Sequence, residues 1–258
     1  MAQARVHATE DQARELAESS RETTWAGRSF MKELFLGKLR FDWIDPFPEQ
    51  PERPEFRAFY DKLDAFLETT WNDRLVDRTG ELPQPWLDEL AEMGAFGMKI
   101  PVEYGGLGLN QFEYGLILER LGEVDGNLVA LLSAHQSIGV PTPVKLFGTD
   151  DQKKRFLPRC ARGEVTAFAL TEADVGSDPA RLATTLTRTE AGEHYILDGE
   201  KLWITNGTIA KMMVVMARHA DTGKISAIIV DCDDPGVTVE RRCHFMGLKA
   251  LQLSLIHI

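Results

Sequence analysis

Phe168-Ala-Leu-Thr-Glu-Ala-Asp-Val-Gly-Ser-Asp178 and, farther along, Lys201-Leu-Trp-Ile-Thr-Asn-Gly207 each read as a β-strand running into a polar loop. Together they offer two small hydroxyls (Thr171, Thr205), an indole face (Trp203) and a Gly176-Ser177 turn. A planar, partly polar cofactor needs such a set: a flat apolar wall, with hydrogen-bond donors aimed at ring heteroatoms. Taken singly, each threonine is an ordinary strand residue and Trp203 an ordinary core residue. Their joint occurrence is what points to a site.

Outward from these segments, the period of the apolar residues changes at Gly163. Upstream, Phe56, Phe59, Tyr60, Leu63, Phe66, Leu67 and Trp71 recur at three- and four-residue spacing, which predicts a helix with one apolar stripe. Trp86, Leu87, Leu90 and Met93 predict a second, stopped by Gly94 and Gly97. Ile100-Pro-Val-Glu-Tyr-Gly-Gly-Leu-Gly108 reads as a loop. Asn110 with Glu113 resembles a capping box, opening a third helix that ends near Gly122. Residues 127–139, apolar nearly all round, predict a buried helix. Thr149 with Gln152 forms another capping box, before a helix that Pro158 is expected to curtail.

Downstream the period is two, with strands expected over 165–171, 184–188, 194–197, 200–205, 212–217 and 225–230 and a hairpin turn at Asp221-Thr-Gly223. Helices first and strands afterwards predict an α+β chain: an all-helical bundle over 55–164, then a β domain over 165–258. Residues 1–54 read as an arm and linker. Ser29–Gly37 is a short amphipathic piece, and Asp45-Pro-Phe-Pro with Pro51 and Pro54 is an extended, proline-punctuated connection.

The formal charge of −11 argues against a nucleic-acid or anionic-membrane surface as the main business of the chain. No apolar run approaches the roughly 20 residues that span a bilayer. Residues 1–23 carry three Arg against five acids with no apolar stretch after them, which argues against a secretory signal or a mitochondrial presequence. Cys160, Cys232 and Cys243 have no CxxC spacing, so a reducing compartment, the cytoplasm, and no structural metal are expected. The six histidines share no ligand spacing. GxGxxG after a strand, a Walker A loop and HExxH are all missing, and Gly176-Ser-Asp-Pro179 lacks the second glycine of a nucleophile elbow.

With Leu197-Asp-Gly-Glu-Lys-Leu-Trp-Ile-Thr-Asn-Gly207 following Phe168-Ala-Leu-Thr-Glu and Gly-Ser-Asp178, the string closely resembles the flavin-binding strands of the acyl-CoA dehydrogenase family. Pro101–Leu109 looks like the family's loop in the helical domain. Phe147–Pro158 looks like its domain-closing helix, and Pro235-Gly-Val with Met246-Gly-Leu-Lys249 like its later β-domain signature. The resemblance covers about residues 55–252, and the Phe30-to-Pro48 arm is similar to the very-long-chain branch.

The resemblance implies a β-barrel-like middle domain and a chain that stops before the family's C-terminal four-helix domain. It also implies FAD as cofactor and an acyl-CoA substrate. An electron-transferring flavoprotein is the implied acceptor, and homo-oligomerisation is implied for the full-length protein. Phe168, Leu170 and Thr171 would line the flavin. Gly176 and Ser177 would meet the cofactor and the CoA portion of the ligand, with Ser177 touching substrate. Trp203, Ile204 and Thr205 would form the second wall. Ala173 stands where the family often has proline. The implied reaction removes an α-proton and a β-hydride from an acyl thioester, and the proton goes to a carboxylate of the C-terminal domain. Glu172, beside the flavin strand, is on the wrong side to serve as that base. Leu253-Ser-Leu-Ile-His-Ile258 replaces an expected polar turn and strand, and reads as a tail from a truncated or mis-assembled frame. A related acyl-CoA oxidase, a flavin monooxygenase, or a silent CoA-ester-binding protein on the same scaffold are the alternatives.

Overall fold

The computed structural model describes residues 29–46 and 52–258, in two compact units divided after Pro51. In the first unit, helix α1 (Phe30–Phe35) is capped by Ser29, whose hydroxyl accepts from the Lys32 N–H at 3.3 Å. A 3-10 turn follows at Phe41–Trp43, with the Arg40 guanidinium 4.5 Å over the Trp43 ring. The amphipathic piece thus forms a short helix. Residues 1–28, and most of the proline-punctuated linker, lie outside the described residues.

The second unit begins with helices. α2 (Pro54–Thr69) buries Phe56, Phe59, Leu63, Phe66 and Leu67, the predicted stripe, and its proline sits at the first turn where no donor is lost. α3 (Asp73–Thr79) and α4 (Gln84–Glu92) follow, the second burying Leu87 and Leu90. Both predicted capping boxes form. Asn110 opens α5 (Gln111–Val124) and Thr149 opens α8 (Asp150–Ala161). Glu113 has a second duty: Arg53 grips its carboxylate with two bonds of 2.6 Å. The segment read as one buried helix over 127–139 is α6 (Gly126–Ser133) continued by a π-turn at Ala134–Ile138, and α7 (Pro141–Phe147) follows.

Pro158 does not end its helix. α8 runs on to Ala161 although the proline removes one N–H bond and crowds the carbonyl a turn back, since Phe156, Leu157, Cys160 and Ala161 are buried on either side of it. Packing outweighs the lost bond.

The strands make two open sheets rather than a closed barrel. β1 (Thr166–Ala169) and β2 (Thr185–Arg188) pair in parallel with successive parts of β5 (Met212–His219), and β3 (Tyr195–Asp198) lies against β2. β6 (Ile225–Asp231) pairs antiparallel with β5 through the turn expected at Asp221–Gly223. The second sheet runs β4 (Glu200–Ile204), β8 (Ser254–His257), β7 (Thr238–Arg242). A four-residue strand therefore fills the centre of that sheet from residues read as a tail, with Ser254 and Ile256 wholly buried.

β5 is apolar from Met212 to Ala217 because both of its faces are covered there. Met212 and Val214 meet helix residues Val144, Phe156 and Leu157 and the N-cap residue Val140, and Met213 and Val215 meet Ile204 and Ile256 of the other sheet. This stacking of helix layer, sheet and sheet fixes where β1 and β4 emerge.

Candidate functional site

β1 delivers Leu170 and Thr171, both half-buried, at its exit. Glu172 and Val175 then exchange backbone bonds of 3.1 Å, closing a tight turn that holds Ala173. Alanine in place of proline costs this turn no donor, since its bonds belong to the residues on either side. Gly176 and Ser177 are exposed beyond the turn, and a side chain at Gly176 would meet nothing within 4 Å.

The second wall is built by an irregularity. The register of β4 against β8 slips between Lys201 and Ile204, and Trp203 adopts φ 60°. A regular strand alternates its faces, so Lys201 and Ile204 could not both point inward. The bulge lets them: Lys201 is 0% and Ile204 1% exposed, while Trp203 is turned out at 49%. Its indole lies 5.8 Å from the Phe245 ring.

The two segments are brought together directly. The Leu202 N–H donates to the Thr171 carbonyl at 2.9 Å, so Thr171 and Trp203 are neighbours across one backbone bond. Thr205, half-buried, is followed by Asn206 at φ 66°. The Asn206 amide donates to Leu131 O at 3.0 Å and Thr166 O at 3.3 Å, which pins this loop to α6 and to β1. Phe168 and Ile204 do not share the open wall. Phe168 packs half-buried on the helix-facing cluster, and Ile204 lies between the sheets with Ala167 and Ala169.

Three groups that the sequence reading did not assign hold the site. Glu172 is 7% exposed and takes every bond its carboxylate can reach. Oε1 accepts from Lys201 Nζ at 2.7 Å, Thr184 Oγ1 at 2.6 Å and Thr184 N at 3.1 Å, and Oε2 from Ala183 N at 2.6 Å. Burial opposes its ionisation, yet the bonds from Lys201, Thr184 and Ala183 hold its carboxyl below the usual carboxylate range. Burial lowers the Lys201 ammonium and Glu172 opposes the shift. Lys201 Nζ also donates to Leu170 O at 3.2 Å. His135, wholly buried in the π-turn, accepts from the Thr166 N–H at Nδ1 (3.0 Å), so its Nε2–H donates to Phe96 O (3.0 Å). That pair of bonds ties the start of β1 to the helices.

A half-exposed indole beside a half-buried threonine, with a glycine open to close approach, is a set that fits a flat, partly polar ring such as a flavin. A cleft of about 190 Å³ lined by Arg78, Glu81, Arg242, His244 and Lys249 adjoins the same wall through Phe245. Among the described residues no group of three or more His, Cys, Asp or Glu could hold a metal, and no helix is long and apolar enough to cross a membrane.

Comparison with known proteins bears on this geometry. Residues 53–164 match the N-terminal domain of acyl-CoA dehydrogenases and residues 167–258 the middle domain. The chain is 52% identical over 250 residues to the probable acyl-CoA dehydrogenase FadE10 of Mycobacterium tuberculosis, covering 95% of this chain and 38% of the relative. It is 35% identical over 235 residues to the human mitochondrial very long-chain specific acyl-CoA dehydrogenase, covering 86% and 36%. The chain thus spans under two-fifths of these relatives' length. The solved acyl-CoA dehydrogenase of Bacillus anthracis complexed with FAD superposes with a TM-score of 0.71 at 33% identity, over 80% of this chain and 36% of that one. A helical half, two open sheets and a bulged indole beside a threonine strand are therefore this chain's version of the N-terminal and middle domains, and the chain belongs to the acyl-CoA dehydrogenase family.

Proposed function

We propose that the chain supplies one wall of an FAD site in an enzyme that α,β-dehydrogenates fatty acyl-CoA thioesters. The observation that carries this is the outward indole of Trp203, held one backbone bond from Thr171. Bound FAD would supply the acceptor for a hydride leaving the substrate β-carbon. Thr171 and Thr205 offer hydroxyls to the ring edge, Trp203 offers its flat face, and Gly176 and Ser177 lie where phosphates and the CoA portion approach. The backbone N–H groups of the open 176–178 loop suit an anionic group.

Glu172 takes no part as a proton acceptor. Its oxygens are filled by four donors, so a base must come to the substrate from the side opposite this wall. By likeness to the family, an electron-transferring flavoprotein is the proposed acceptor and a homo-oligomer the proposed assembly of the full-length protein. The three cysteines are unpaired, which fits a reducing compartment, and the cytoplasm is proposed.

Titration of the chain with FAD, read by quenching of flavin fluorescence, tests the reading. Trp203→Ala is expected to weaken binding about tenfold, the scale of an aromatic stacking contact. Equal affinity of the parent and the alanine variant would sink the proposal.

A further inference from the structure

The Trp203 bulge needs a cause. A bulky residue at φ 60° is strained, and such a conformation persists only where the surroundings over-determine it. Two inward pulls flank it. On one side Ile204 enters the apolar layer between the sheets. On the other, Lys201 is drawn fully inside, where an unpaired ammonium is untenable. Its partner Glu172 is in turn seated on the Ala183 and Thr184 N–H groups. Behind Thr184 stands Gly199, where a side chain would lie 2.5 Å from the threonine hydroxyl. The ion pair therefore gathers three stretches of chain: the exit of β1 at Leu170–Glu172, the approach to β2 at Ala183–Thr184, and β4.

We propose that Glu172 and Lys201 are positioning residues whose buried ion pair sets the bulge, and so aims Trp203 and holds Thr171 beside it. The inference rests on the flavin reading for its purpose, and on the geometry alone for its action. Lys201 reaches both Leu170 O and Glu172, and the Leu202–Thr171 backbone bond lies one residue farther along each strand. Losing the pair frees β4 to return to regular alternation, which breaks that backbone bond first.

Exchanging both partners for apolar groups of similar volume, Lys201→Met with Glu172→Met, removes the pair without leaving a lone buried charge and is often neutral for stability. In the folded double variant the Leu202 amide should exchange its hydrogen at least about tenfold faster, while the Val214 amide in the centre of β5 keeps its protection. FAD, added as the probe, should bind about tenfold more weakly than to the parent. Unchanged Leu202 exchange in a folded variant overturns the proposal. If the double variant does not fold, Glu172→Gln decides. It removes the charge that Lys201 faces and leaves one oxygen where two served, so the Ala183 side or the side shared by Thr184 and Lys201 loses its acceptor; it must speed Leu202 exchange, and a rate equal to the parent's overturns the proposal. Should the parent chain bind no FAD at all, the flavin reading fails while the exchange measurement still judges the ion pair.

Discussion

At the scale of single residues, His135 sets a measurable pH response. Complete burial pushes its imidazole down to about 4, from an ordinary 6.5. The folded chain thus holds it neutral, while the unfolded chain takes up a proton below 6.5. Its contribution to stability is present above 6.5 and falls away as pH drops toward 4, by roughly 3 kcal/mol over that window. His135→Gln should flatten this slope in urea unfolding followed from pH 7 to 4; an unaltered slope would mean that another group carries it. The pairing of Thr171 with Trp203 could be expected from sequence because the two stand in segments that resemble one motif, and the structure makes them neighbours. The roles of His135, Glu172 and Lys201 could not, because each finds its partner some thirty positions away, at separations of 31 and 29 residues. A lysine between Glu200 and Leu202 looks like a solvated strand residue until the fold closes over it.

At the scale of elements, Gly199 is the point where the chain leaves the first sheet for the second. Its φ of 156° is one that L side chains rarely adopt, and a Cβ there would press on Thr184. Gly199→Ala is expected to cost about 3 kcal/mol, through strain and through displacement of Thr184 from Glu172. Chemical denaturation checks the cost, and a loss below about 0.5 kcal/mol would contradict this account. Helices α2, α4, α5 and α8 were legible because each buries a stripe or opens on a capping box. β7 was not: Thr238–Arg242 is a charged, mostly exposed edge strand with no apolar alternation to betray it. The end of α8 was misread for the opposite reason, since a local breaker at Pro158 gave way to tertiary packing.

At the scale of the whole molecule, the order of helices before strands gave the α+β class, while closure of the sheet depends on pairings between distant strands that no local pattern reveals. β8 shows how much rests on one of them. It alone joins β4 to β7, so deleting residues 253–258 should abolish cooperative unfolding of the second sheet and expose the Trp203 segment. Circular dichroism and limited proteolysis would show it, and a deletion variant with an unaltered melt would refute it. The amide of Asn206 has a wider consequence. One small side chain clasps the last turns of α6 and the first residue of β1, and its own backbone continues directly from Thr205. The helical half and the hydroxyl-bearing loop are thereby geared to each other. A force that shifts the helix cannot leave Thr205 behind, so whatever lodges against the bundle is felt at the Thr205 loop without a hinge in between.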